Sequence, residues 1–368
     1  MDKLNLSSSA SMEISKKAKE LKNKGIDVVS LSIGDTHFSI SKFLSKKINE
    51  ACQLNITHYD NANGLKRLRQ KIALNYSCSE NEVVISNGVK NSLFNYLYTK
   101  TNKKILILEP AWLGYEGIAK MLNMPFSQIN MYSKNWLKKV KSESFDFVLV
   151  CSPNNPDGNV LSKKEILELY KISSKKNAVI ILDEIYKDFI YEGKHNFEVL
   201  YRKKDVVILN GFSKSHAVTG LRIGFSIIKD KNEIDLMNKV QQNSFTCSNT
   251  ISQYALSFAK QNKKAVKKHS KYYKKNRDII AKEIPELKNY KPDAGFYYFF
   301  PLKAIGISDS GEKFCTCLLD KKAVALIPGN AYGKGFENYV RMSFCVDRKE
   351  LIKGIKRIKE YIIENGNN

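Results

Sequence analysis

Apolar residues along this chain fall into two recurring patterns. One is a set of short, nearly continuous runs: "EVVIS" at 82–86, "KILILE" at 104–109, "FDFVLVCS" at 145–152, "AVIILDE" at 178–184, "DVVILN" at 205–210 and "GFSII" at 224–228. Runs of this length, rich in Val and Ile and apolar on both faces, are typical of strands in a sheet covered on both sides. The other pattern is amphipathic and helical, over roughly 89–99, 114–123, 162–176 and from 186–190 onward. Strands alternating with helices predict an α/β fold with a mostly parallel sheet.

One connection departs from that rhythm. Between Asn210 and Gly224 there is little room for a crossover helix, and Gly220 interrupts the stretch. A parallel crossover takes a dozen or more residues, usually helical. "GFSII" is therefore expected to run antiparallel to its neighbours, which brings Lys214 and Arg222 together at the rim where α/β proteins bind ligands. Beyond Asn232 long helices are expected to about residue 284. "GFYYFFPL" (295–302), "AVALIPG" (323–329) and "NYVRMSF" (338–344) then suggest a smaller α+β unit, closed by a helix near 348–364. The N-terminal helix, about 10–24, and "IDVVSLSIG" (26–34) have no place in the central sheet and should join the C-terminal part. The expected division is a large domain over 40–285 and a small domain built from both ends, 1–39 and 286–368.

With 368 residues the chain can bury a large core and form two domains. Its 43% hydrophobic and 27% charged content fits a soluble globular protein. No apolar run approaches the roughly 18–20 residues of a membrane span. The opening "MDKLNLSSSA" has no signal-peptide stretch, so a cytoplasmic protein is expected. The net charge of +24 raises the possibility of a nucleic-acid partner. The lysines, however, are spread through "SKKAKELKNK", "NKKAVKKHSKYYKKNR" and "KGIKRIKE", as on solvated helix faces, and no nucleic-acid motif accompanies them. The seven cysteines are odd in number and scattered, so no disulfide framework is expected. "CTC" at 315–317 lacks the spacing of a zinc site, so no metal is expected.

Four motifs sit at or just after strand ends. "SNGVKNS" opens a helix, where free N–H groups after a glycine can bind an anion. "SPNNPDG" follows "FVLVC" and would also serve as a plain turn. "LDEIY" places Asp183 behind four apolar residues, where a buried acid usually has a cationic partner. "SKSHAVTGLR" carries Lys214 and Arg222. A lysine able to form a Schiff base, a carboxylate for a pyridine nitrogen and an arginine beside a helix start for a phosphate together make a kit for pyridoxal phosphate.

Over nearly its full length the chain resembles fold-type I pyridoxal-phosphate enzymes, specifically the class I/II aminotransferases that include aspartate aminotransferase. The resemblance rests on "SIGD", "HYDNANGLKRLRQ", "SNGVKNSLF", "EPAWLGY", "SPNNPDG", "DEIY", "SKSHAVTGLRIG" and "VRMSF", in that order. It implies a large domain with a mostly parallel sheet plus a smaller α+β domain. The implied activity is transfer of an amino group from an L-amino acid to a 2-oxo acid. The same fold and cofactor also support decarboxylases, lyases and oxidases of amino acids.

Residue by residue, the resemblance implies that Lys214 holds the cofactor as a Schiff base and then acts as base and acid. Asp183 would pair with the ring nitrogen. Asn155 and Tyr186 would bond the phenolic oxygen, and Trp112 would stack on the ring. Gly88 and Val89, with Ser213 and Arg222, would grip the phosphate, and Lys90 borders them. Tyr59 would reach the phosphate of a neighbouring subunit, implying a homodimer with shared sites. Arg341 would clamp the substrate α-carboxylate near Gly34 and Asn155. Lys90 matches a lysine that in bacterial relatives contacts the distal carboxylate of acidic substrates, though it also reads as a solvated helix residue. His37, in "GDTHF" where the family commonly has Gly-x-Pro-Asp, would lie near the substrate entrance, either reading a polar side chain or simply facing water. Two further departures are Asp157 in place of threonine and Ala294-Gly295 in place of Gly-Ala, beside a wall formed by Phe296 and Tyr297.

Overall fold

The computed structural model describes residues 10–100 and 102–366. Helix α1 (Ala10–Asn23) leads to β1 (Val29–Ser30), then to α2 (Lys42–Gln53) and α3 (Lys66–Tyr76). The central sheet contains β2 (Val83–Ser86), β3 (Ile105–Glu109), β4 (Phe126–Asn130), β5 (Phe147–Cys151), β6 (Val179–Asp183), β7 (Val206–Gly211) and β8 (Gly224–Ile227). Their order across the sheet is β2-β8-β7-β6-β5-β3-β4. Helices α4 (Val89–Tyr98), α5 (Gly114–Met121), α6 (Trp136–Ser142) and α7 (Lys163–Lys175) connect them.

Alternation along each strand feeds two apolar layers. On β3, Ile105 and Ile107 enter one core and Leu106 and Leu108 the other; on β5, Phe147 and Leu149 oppose Val148 and Val150. This two-sided burial is why the strands read as continuous apolar runs. Polar residues fix the helix starts. Ser162 and Glu165 form a reciprocal capping box on α7, and Ser41 caps α2 through its hydroxyl.

Strand β8 is antiparallel to both neighbours, as the short 210–224 connection requires, and Gly211 pairs with Gly224 at its open end. Two expectations need correction. The stretch from 186 onward is a single 3-10 turn, Lys187–Phe189, not a helix. Ile190 then bridges to Ala294, and Gly193 turns the chain at a φ of +77°. Strand β4, absent from the sequence-based expectation, pairs with β3 alone at the sheet edge. Its "FSQIN" is only half-buried, so it lacks the apolar run that marks the central strands.

Helices α8 (Lys231–Ser244), α9 (Thr250–Leu256) and α10 (Lys263–Glu283) follow. The C-terminal part holds β9 (Tyr297–Pro301), α11 (Gly311–Lys322), β10 (Val324–Ala325), β11 (Ile327–Pro328), β12 (Tyr339–Ser343) and α12 (Arg348–Asn365). Strands β11, β12 and β9 form an antiparallel sheet, while β1 pairs in parallel with β10. The N-terminal strand therefore joins the C-terminal sheets. Gly354 of α12 lets that helix lie close over β1, since a Cβ there would meet Leu31 at 2.9 Å and Val29 at 3.0 Å.

Candidate active site

The C-terminal ends of β2, β3, β5, β6 and β7 and the start of β8 converge on a cavity of about 680 Å³. Arg341 of β12 and the Ser32–Asp35 segment line it from the other side. The site is thus assembled between the large sheet and the terminal segments.

One end of the cavity suits an anion. Helix α4 begins after Gly88, whose φ of +89° is accessible to glycine at little cost. A Cβ on Gly88 would fall 2.7 Å from Arg222 Nη2. Gly224 is equally constrained: its added Cβ would lie 2.5 Å from the Gly88 carbonyl carbon and 2.5 Å from Val89 N. These glycines let β8 press against the helix start, so the helix N–H groups and the Arg222 guanidinium share one concave surface. Arg222 is anchored by donating to the Thr219 carbonyl at 2.9 Å and the Asn87 carbonyl at 3.3 Å. Val89, Ser213 and Arg222 line the cavity, and none of the groups Arg222 bonds is a carboxylate. A helix start, a hydroxyl and a guanidinium fit a phosphate.

The middle of the cavity holds a lysine and a buried acid. Lys214 Nζ donates to the Gly34 carbonyl at 2.7 Å. Burial lowers its pKa; Cys345 and Asp35 oppose that shift, while Arg341 and Arg222 add to it. Asp183, at the end of β6, is 3% exposed. Its donors among the described residues are the Tyr115 hydroxyl at 2.9 Å and the Ile185 N–H at 3.0 Å, neither of them a cation. Burial raises its carboxyl to about 6, against the pull of those two hydrogen bonds. The sequence led to the expectation of a cationic partner, and the described side chains do not provide one in direct contact. A buried carboxylate on a cavity wall needs such a partner to stay charged, and a protonated pyridine ring meets that need.

The far end suits a carboxylate. Arg341 is buried on β12, with Nη1 donating to Asn155 Oδ1 at 3.1 Å and Nη2 to the Ser32 carbonyl. Its guanidinium lies 4.2 Å from the Tyr297 ring centroid and 5.1 Å from that of Tyr332. Among the described residues Nε has no hydrogen-bond partner, and the two groups that Arg341 does bond are neutral. Tyr186 and Tyr297 share a hydroxyl contact at 3.1 Å. Gly34 is required beside them, because a Cβ there would fall 1.7 Å from the Tyr297 hydroxyl. Trp112 forms a side wall, edge-on to Tyr115, and Lys90 Nζ lies 5.0 Å from its ring centroid.

The cavity brings together Gly34, Val89, Lys90, Trp112, Asn155, Asp183, Tyr186, Ser213, Lys214, Arg222 and Arg341. Gly88 stands just behind Val89, as described. Besides Gly88, two predicted residues are not part of the lining. His37 instead packs with Phe38 and Tyr272 and shares a 3.2 Å contact between Nδ1 and the Tyr273 hydroxyl. Tyr59 is 85% exposed. Asp157, a departure in the sequence, accepts from Asn154 Nδ2 and Tyr132 and so secures the turn beside Asn155. Sequence reasoning missed Tyr115, Thr219 and Tyr332, which also line the cavity. Tyr115, three residues after Trp112 at a helix start, carried a usable signal. Tyr332 carried none, since it meets Arg341 only through the folding of the C-terminal part.

A sequence model of the class I and II aminotransferases matches residues 26–358. The chain is 32% identical to the aspartate aminotransferase of Sulfolobus acidocaldarius, over 93% of this chain and 91% of that protein. It is 30% identical to the aspartate aminotransferase of Thermotoga maritima, over 96% of each. The solved structure of the Thermotoga maritima aspartate aminotransferase superposes with a TM-score of 0.88 at 28% identity, covering 97% of this chain and 98% of that one. A Methanococcus jannaschii structure, described as similar in its active site to kynurenine aminotransferases, superposes with a TM-score of 0.88 at 29% identity, over 98% of both chains. The protein belongs to the class I and II aminotransferases. It is an enzyme of that family, a transaminase dependent on pyridoxal 5'-phosphate.

Proposed function

We propose that this aminotransferase moves the amino group of aspartate, glutamate or a similar acidic amino acid to a 2-oxo acid, as a cytoplasmic homodimer, with Lys214 as the residue joined to the cofactor. The observation that carries the reading is the complementary lack of partners in one cavity: among the described residues Asp183 has no cation in direct contact and Arg341 bonds no carboxylate. An amino acid substrate supplies the carboxylate and the cofactor ring supplies the cation.

Val89, Ser213 and Arg222 would hold the phosphate, Asp183 the ring nitrogen, Asn155 and Tyr186 the phenolic oxygen, and Trp112 one ring face. When bound, the cofactor supplies an aldehyde that takes up the amino group and a protonated ring that withdraws electrons from the substrate Cα. Arg341 binds the α-carboxylate and fixes the substrate's orientation. Asp183 keeps the proton on the ring nitrogen. Lys214, once its amine is free, takes the proton from Cα and returns it one position along; its burial-lowered pKa favours the neutral form that a base requires. Tyr186, Tyr297 and Trp112 exclude water from the reacting atoms.

Acidic substrates are favoured by Lys90 on the cavity wall and by the likeness to aspartate aminotransferases. The homodimer reading draws on Tyr59, which matches the family's inter-subunit tyrosine and is exposed on this chain. The proposed domain division remains 40–285 for the cofactor-binding unit and both termini for the smaller one. The test of the lysine is borohydride reduction of the cofactor-loaded protein followed by peptide mass analysis. The cofactor mass is expected on the peptide containing Lys214. Its appearance on another lysine instead would overturn the site assignment.

A further inference from the structure

Strand β9 pairs with β12 so that Phe299 stands opposite Arg341 and Tyr297 opposite Ser343. Tyr297 is therefore a diagonal neighbour of Arg341 on one face of the sheet, within reach of a long or aromatic side chain. The Arg341 guanidinium lies 4.2 Å from the centroid of its ring. Its hydroxyl meets the Tyr186 hydroxyl at 3.1 Å, and the two rings stand edge to face with centroids 5.9 Å apart. Tyr297 thus touches the residue suited to an α-carboxylate with its ring and a candidate cofactor residue with its hydroxyl.

The hydroxyl contact can be read by counting protons. Tyr297 is 2% exposed and Tyr186 4%. A tyrosine hydroxyl carries one proton to donate and can also accept. Among the described residues each of these hydroxyls is the other's only hydrogen-bond partner, and either can donate. The surroundings of the two differ. A Cβ on Gly34 would fall 1.7 Å from the Tyr297 hydroxyl, so the backbone of that segment closes the space beside it, and the Gly34 carbonyl already accepts from Lys214. The Tyr297 proton is left with one acceptor, the Tyr186 oxygen. Once that bond is made, the Tyr186 proton is free for an acceptor inside the cavity that both residues line. Burial keeps both hydroxyls protonated. It pushes Tyr297 up to about 12 against the pull of Arg341, and it holds Tyr186 well above its ordinary value.

We propose that Tyr297 is a positioning residue: by donating to Tyr186 it turns the Tyr186 proton toward the cofactor's phenolic oxygen and strengthens that hydrogen bond. The inference rests on the reading of Tyr186 as the residue that bonds this oxygen. A hydroxyl that accepts one hydrogen bond donates a stronger one, because such bonds polarise one another along a chain. The consequence falls on Lys214. When the cofactor is joined to it, the phenolic oxygen shares the proton on the Lys214 nitrogen. A stronger hydrogen bond from Tyr186 draws negative charge off that oxygen, so the shared proton leaves at a lower pH.

The test is a pH titration of the absorption band of the cofactor-loaded protein, which follows that proton with no substrate present. Tyr186→Phe should raise the midpoint by about 1–2 pH units, the worth of one hydrogen bond to a charged group. Tyr297→Phe keeps the ring against Arg341 and removes only the hydroxyl. It should raise the midpoint by roughly 0.2–0.5 units, the share that cooperativity adds. In a Tyr186→Phe background the same change should add nothing, since its effect passes through Tyr186. 3-Fluorotyrosine placed at position 297 is a stronger donor of nearly the same shape and should lower the midpoint, which keeps the test decisive if Tyr297→Phe does not fold. An unmoved midpoint in Tyr297→Phe, a rise with 3-fluorotyrosine, or a Tyr297→Phe shift that persists without the Tyr186 hydroxyl overturns the proposal. The Tyr186→Phe control separates the two readings. If it moves the midpoint and Tyr297→Phe does not, only the positioning role fails; if neither moves it, the reading of Tyr186 fails as well.

Discussion

Asp183 and Arg341 show how much of the site depends on single side chains. Asp183 could be picked out of the sequence because it ends an apolar strand run; the missing cation in contact with it emerged only from the structure, where a tyrosine and a backbone N–H are its donors. Its carboxyl, raised by burial from an ordinary 3.8 to about 6, has a definite consequence for cofactor-free protein. Between those two values the folded state holds more protons than the unfolded state, so this group's contribution to stability falls as pH rises from about 4 to about 6. Without cofactor, Asp183→Asn should therefore be more stable than wild type by about 1–3 kcal/mol near pH 7.5 and should converge with it near pH 4. Urea unfolding at the two pH values checks this, and a variant less stable at both would contradict it. With cofactor present the sign should reverse, because the ring cation is lost as a partner. His37 was the least legible residue. Its position after Gly34 left open whether it read a substrate side chain or faced water, and the aromatic side chains of Phe38, Tyr272 and Tyr273 pack around it instead.

At the level of elements, the antiparallel β8 was legible because the stretch between Asn210 and Gly224 leaves little room for a helical crossover and Gly220 interrupts it. That one reversal sets Lys214 and Arg222 on the same rim. The price of the arrangement is close backbone packing, with Gly224 against Gly88 and Val89. Gly224→Ala should push the start of α4 away from Arg222 and weaken cofactor binding at least about tenfold, while the core loses about 1–3 kcal/mol. Titrating cofactor-free protein and following the cofactor's absorption band gives the affinity; unchanged affinity would separate the phosphate site from this contact. Strand β4 and the 186–190 turn were misread for opposite reasons. The first is a half-buried edge strand with few apolar residues, and the second is an apolar segment whose backbone pairs with distant Ala294 instead of with itself.

At the scale of the whole molecule, the cavity requires both ends of the chain, since Gly34 and Arg341 face the sheet residues across it. This joining of termini was legible from strands left over after the central sheet was counted. The place of Tyr332 was not, because it depends on how the last sheet docks. Tyr59, exposed on the single chain, belongs to a larger assembly in the proposed reading. Sedimentation should give a dimer, and Tyr59→Phe should loosen cofactor retention severalfold despite the residue's distance from its own cavity; a fully active monomer would contradict this. The most direct test of the proposed chemistry is a single turnover. Cofactor-loaded enzyme is mixed with aspartate and no acceptor, and the products are counted per site. The site described here should release one equivalent of the corresponding oxo acid and stop, regaining activity when a 2-oxo acid is added. Release of carbon dioxide, free ammonia or peroxide, or continued turnover without an acceptor, would contradict it.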